Sequence, residues 1–127
     1  MGNRRPVVGA IGWLDLTVPN ADGLRDFYAK VVGWKPEPVT MGGYSDYHML
    51  LPAQGTPVAG VCHARGVNAH LPPQWICYFV VDDLDASVRE LTARGGTLIG
   101  DVRSMGEARY VAFRDPAGAV AALYEPA

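Results

Sequence analysis

Residues 13–34 read WLDLTVPNADGLRDFYAKVVGW, and a change of period inside this stretch decides the fold. Over Trp13–Val18 the apolar residues Leu14, Leu16 and Val18 alternate, which places them on one face of a strand. Pro19-Asn20 ends that strand. From Ala21 onward, Leu24, Phe27, Tyr28, Val31 and Val32 recur at steps of three and four, the stripe of an amphipathic helix. Asn20 suits its N-cap, Asp22 its first turn, and Gly33 its stop. Three short strands are then expected near Lys35–Thr40, Tyr44–Leu51 and Pro57–Cys62, separated by Gly and Pro.

The plan repeats. Trp75–Val81 reads WICYFVV, Asp82-Asp83 caps a helix with the stripe Leu84, Val88 and Leu91, and Gly95-Gly96 ends it. Strands follow near Thr97–Arg103, Arg109–Arg114 and Ala119–Tyr124. An offset of 62 residues pairs Trp13 with Trp75, Leu14 with Ile76, Val18 with Val80 and Gly33 with Gly95. This is read as a duplicated βαβββ unit, with modules 7–62 and 75–125 in a single domain spanning 1–127. Pro72-Pro73 favours an extended connection across the linker, residues 63–74.

Composition bounds the function. At 127 residues, 49% hydrophobic and 19% charged, the chain can bury one proper core and carries no disorder signature. Its formal charge of −2, with acidic and basic residues interspersed, offers no basic stripe for nucleic acid. No apolar run approaches the roughly 20 residues of a membrane helix. The basic opening, Met1–Pro6, is followed by a stretch too short and broken for a secretion signal, so a cytoplasmic protein is expected. Cys62 and Cys77 lie in apolar strand-like runs and are read as inert core thiols.

Three stretches carry a family resemblance: NADGLRDFYAKVVGW (Asn20–Trp34), VVDDLDA (Val80–Ala86) and RDPAGAVAAL (Arg114–Leu123). In this order and spacing the chain resembles the vicinal-oxygen-chelate superfamily, which includes glyoxalases, bleomycin-resistance proteins and dioxygenases. The resemblance implies an α+β fold: two βαβββ modules forming a curved mixed-sheet cup, helices outside, with the ligand site on the concave face. It also implies a homodimer. Enzymes of that family hold a divalent metal on the first and last strands of each module. Mapped here, those positions are Trp13, Gly60, Trp75 and Ala122, none of which can donate a lone pair to a metal. No metal and no cofactor are therefore expected.

Period-two geometry then says what should line the cup. With Trp13 and Trp75 pointing inward, Asp15, Thr17, Cys77, Phe79 and Tyr124 join them, while Leu14, Leu16, Ile76 and Val80 pack beneath the helices. Asp15 stands out, because a carboxylate on an inner strand face needs a partner or a wet pocket. His48 shares a strand face with Asp46, with Tyr47 opposite. Asp15, His48 and Tyr47 are the candidates for proton transfer. Glu107 and Arg109 are candidates for the pocket mouth, whereas His63 and His70 in the linker fit surface or structural roles.

Three functions fit these residues. The first is a metal-free binding protein holding a flat, partly aromatic metabolite or antibiotic. The second is a metal-independent lyase, isomerase or cyclase. The third is a structural or regulatory dimer module with a filled cup.

Overall fold

The computed structural model describes residues 6–127; the basic residues that open the chain lie outside that range. Among the described residues, eight strands and two helices form an α+β fold in two compact units. One unit is Leu14–Trp75, and the other joins the segment ending at Trp13 to Ile76–Ala127. Each follows the strand–helix–three-strand order expected from the sequence.

The first module runs β1 (Ile11–Val18), α1 (Ala21–Val31), β2 (Lys35–Thr40), β3 (Ser45–Leu50) and β4 (Pro57–His63). Its strands lie in the order β2-β3-β4-β1, with β1 parallel to β4 and the other neighbours antiparallel. The second runs β5 (Trp75–Val80), α2 (Leu84–Ala93), β6 (Thr97–Met105), β7 (Ala108–Arg114) and β8 (Val120–Glu125), in the order β5-β8-β7-β6. The parallel β5–β8 pair repeats the β1–β4 pair. The connection between modules contains a single 3-10 turn, Gly66–Asn68, where an extended chain was expected. No helix among the described residues is long and apolar enough to cross a membrane.

Both helices begin as their capping residues dictate. The Asn20 side chain accepts from the Gly23 amide and the Asp83 side chain from the Ala86 amide. Both end at a glycine of positive φ, Gly33 at 90° and Gly95 at 96°, a conformation open to glycine and strained for other residues. The Asp-Pro-x-Gly stretch before β8 is a tight turn, with the Asp115 carboxylate accepting from the amides of Ala117 and Ala119.

The helix faces overturn the 62-residue offset. Beneath α1 lie Leu16 and Val18, packed with Leu24 and Tyr28. Beneath α2 lie Phe79 and Val81, packed with Leu84, Val88 and Leu91. The true offset through the first strand and the cap is therefore 63 (16 to 79, 18 to 81, 20 to 83). It returns to 62 from the terminating glycines onward, because α2 has 10 residues where α1 has 11. A slip of one residue turns every side chain of a strand to the other face. Phe79 thus packs under its helix, and Cys77, two residues before it, shares that face. Ile76 and Val80, expected beneath the helix, lie on the opposite side. Trp75 is corrected too: it packs with Tyr28 and Trp34 in the first module's helix-side core.

The α1 stripe is narrower than its periodicity suggests. Leu24 and Tyr28 join the core, whereas Phe27, Val31 and Val32 are exposed. The α2 stripe of Leu84, Val88 and Leu91 is packed as expected.

Candidate functional site

Register identifies the side chains that share the helix-free face of each sheet, since residues directly opposite on neighbouring strands point the same way. In the first module, His48 on β3 is opposite Gly60 on β4, and Gly60 is opposite Asp15 on β1. Glu37 on β2 completes the row beside His48. Strands are spaced about 4.8 Å apart, so His48 and Asp15 flank the glycine from roughly 5 Å on either side. Gly60, which is buried, thus places no side chain between an imidazole and a carboxylate. One row further along, Thr17 is opposite Cys62, whose thiol is bonded to Asp46. Burial, followed by the Asp15 and Asp46 charges, pushes the Cys62 thiol far above its usual range, so it is no nucleophile. The inert reading of this cysteine stands on that environment.

The Asp46 carboxylate does structural work as well. It accepts from the His63 amide at 2.8 Å and lies 3.2 Å from His63 Nδ1, while His63 Nε2 is 3.7 Å from Asp22 at the start of α1. His63 therefore joins the end of β4 to the first turn of the helix. Sequence reasoning placed it in the linker with a structural role, and its contacts are of that kind.

Tyr47 does not join the row of Asp15 and His48. It is buried on the helix side, donates its hydroxyl to Asp22 Oδ1 at 2.6 Å and accepts from Arg25 Nη1 at 2.8 Å. The Asp22 hydrogen bond and burial raise its pKa, so the phenol is a held donor and a poor base.

The same face of the second module is aromatic. Tyr78 on β5 is opposite Ala122 on β8, which is opposite Ala112 on β7. The neighbouring row holds Tyr124 opposite Tyr110. The rings of Tyr78 and Tyr110 approach to 6.0 Å between centroids, at 55°, and all three tyrosines are half-buried. Tyr124 was expected on this face; Tyr78 was not, because the 62-residue offset sent it beneath the helix, and Tyr110 was not singled out. The capping residues Asn20 and Asp83, 63 apart, held the signal that would have found it. Trp13 lies on the helix-free side of β1 by alternation with Leu14 and is half-buried.

The two pocket-mouth candidates part company. Glu107 is exposed in the turn between β6 and β7. Arg109 is no mouth residue: its guanidinium is held by Glu125 and Asp85, and Glu125 Oε2 accepts from the Leu84 amide that opens α2. This is a capping assembly. Its bonds to the Leu84 amide and to Arg109 hold the Glu125 carboxyl below the usual range.

With the offset corrected, the first-strand position of the second module moves from Trp75 to Ile76. The four positions become Trp13, Gly60, Ile76 and Ala122, a donor set that does not fit a metal ion. Among the described residues, no three His, Cys, Asp or Glu side chains are grouped as ligands.

Residues 10–123 match the Glyoxalase/Bleomycin resistance protein/Dioxygenase superfamily, and the chain belongs to it. Among curated relatives, the anthracycline biosynthesis protein DnrV of Streptomyces peucetius is 32% identical over 115 residues, covering 89% of this chain and 40% of the relative. The anthracycline biosynthesis protein DauV of Streptomyces sp. strain C5 is 30% identical, covering 91% and 46%. The chain thus spans less than half the length of these relatives. Among solved structures, the methylmalonyl-CoA epimerase of Mycobacterium tuberculosis superposes with a TM-score of 0.54 at 19% identity, covering 91% of this chain and 86% of the other; it shares the fold.

Proposed function

We propose that this protein binds a flat, partly aromatic small molecule without a metal, on the helix-free face of its second module. The observation that carries this reading is the tyrosine set Tyr78, Tyr110 and Tyr124 beside Ala112 and Ala122. Aromatic rings next to small residues suit a planar ligand by offset stacking. The names of DnrV and DauV place those relatives in the making of anthracyclines, which are planar polycyclic molecules, and this supports the same class of ligand here. Metal independence rests on the donor chemistry of Trp13, Gly60, Ile76 and Ala122, and elemental analysis finding about one divalent metal per chain overturns it.

The test is calorimetric titration with planar hydroxylated quinones. Binding is expected, and Tyr110→Ala should weaken it by roughly 1–3 kcal/mol. Trp34 and Trp75 pack on each other at 5.9 Å and should respond little, so any quenching reports on Trp13. Failure of every planar probe to bind defeats the reading.

A second reading, a metal-independent isomerase or lyase, is favoured by the row His48–Gly60–Asp15, which sets an imidazole and a carboxylate on two sides of a glycine. Asp15→Asn then separates the two: a binder keeps its ligand or loses affinity, whereas an enzyme keeps its ligand and loses turnover. The chain is further proposed to dimerise, covering the exposed Phe27 and Val31 of α1 and Val32 just after it. Light scattering should give twice the 13.6 kDa chain mass, and a monomer overturns this. A cytoplasmic location completes the reading.

A further inference from the structure

The aromatic row of the second module ends in a cation. Arg103 on β6 is opposite Tyr110 on β7, which is opposite Tyr124 on β8, so all three point to the helix-free side. The cation is there because β6 is irregular. Ile99 pairs with Ala112 and Arg103 with Tyr110, so four steps on β6 answer two on β7. In a regular ladder Asp101 would stand opposite Tyr110. The two extra residues, with Gly100 at a φ of 76°, put Arg103 in its place and exchange a negative group for a positive one. Bulges of this kind re-aim a side chain while leaving the rest of the ladder in register. Because the excess is two residues, the alternation of faces survives it.

Arg103 is half-buried. The ion pairs of the described residues engage Arg25, His63, Arg94 and Arg109, and Arg103 takes part in none of them. A guanidinium partly withdrawn from water without a counter-charge favours an anion that reaches it, more so than a fully exposed one. Its planar fork is shaped for a carboxylate.

We infer that Arg103 reads an acidic group at one end of the ligand, so that the second module selects planar aromatic acids over their neutral counterparts. This rests on the proposal that the tyrosine face binds planar molecules, and it adds the charge and the end from which the ligand is recognised. From β6 to β8 is two strand spacings, about 10 Å. A fused tricyclic ring system can therefore lie along Tyr110 and Tyr124 with its carboxylate at Arg103.

The experiment uses the full chain with two probes, anthraquinone-2-carboxylate and its neutral primary amide, titrated calorimetrically near pH 7.5. The carboxylate should bind roughly tenfold more tightly than the amide, the size of one charge-assisted hydrogen-bonded contact. Arg103→Met, which keeps the apolar stem, should bring the carboxylate down to the amide's affinity and leave the amide unchanged. Arg103→Lys should restore part of the preference. Equal affinity of the wild type for both probes overturns the inference and leaves the aromatic binding face standing. Equal weakening of both probes by Arg103→Met overturns it too, because the arginine then acts on the shape of the face. If neither probe binds, the binding face itself fails and this inference falls with it.

Discussion

The two modules share a fold and a strand order, yet they use their helix-free faces for opposite chemistry. The first sets Glu37, His48, Asp15, Asp46 and Thr17 around Gly60, and its polar groups continue round the end of β4 through His63 to α1. The second sets three tyrosines and an arginine around two alanines, and the ion pairs of Arg109 with Glu125 and Asp85 lie at the start of α2. A βαβββ scaffold is held by its helix-side apolar residues, so the other face is free to diverge after duplication. The helix-side cores show the constraint: Leu16 and Val18 answer Phe79 and Val81 at one spacing.

The sharpest division between core and face is Trp75, which was expected on the binding side and lies in the first module's core. Trp75→Ala should cost about 3–5 kcal/mol in urea unfolding, losing the Tyr28 and Trp34 contacts and the indole bond to Tyr28 Oη, while planar ligands still bind the folded protein. In the second module Leu84 is wholly buried where the first has Ala21. Leu84→Ala should cost about 2–4 kcal/mol by the same measurement. A value below about 1 kcal/mol would mean the second core is the looser of the two.

Smaller effects test the polar links. Tyr47→Phe removes a donor to Asp22 and an acceptor for Arg25, and should cost about 1 kcal/mol without changing ligand affinity. A loss of affinity would bring Tyr47 back among the site residues. Glu125 has a lowered folded pKa, so its contribution is present above the ordinary value of about 4.5 and is lost as the pH falls through the lower folded value. Between that value and about 4.5, the melting temperature should therefore fall more steeply with decreasing pH in the wild type than in Glu125→Gln. Least of all, Arg94→Ala breaks the exposed Glu90 pair and should stay within about 0.5 kcal/mol.

Much of this was legible from residues alone. Alternation at Leu14, Leu16 and Val18 marks β1, and the caps at Asn20 and Asp83 with the glycines at Gly33 and Gly95 mark both helices. Asp15 and His48 were singled out because polar residues on an alternating strand stand out, and register sets them in one row. The identity of the second face was not. Two tryptophans 62 apart, a coincidence of residue type, outweighed two caps 63 apart, and the slip hid Tyr78; Tyr110 stands 62 residues after His48, where the offset holds, and was not singled out. Arg103 was invisible for another reason: a bulge has no periodicity of its own, so nothing in the run Thr97–Met105 announces which residue will stand opposite Tyr110.

The missing residue of α2 says where a duplicated gene can lose a codon. A deletion inside β5 would invert the face of that strand and exchange its buried and lining residues at once. The same deletion near the end of the helix is absorbed by the turn that follows, and every strand keeps its orientation. Helix ends are thus the places where such a chain can change length and keep its binding surface, and strands are where it cannot. An alanine inserted after Ala93, restoring the length of the first module's helix, should leave the tyrosine face intact.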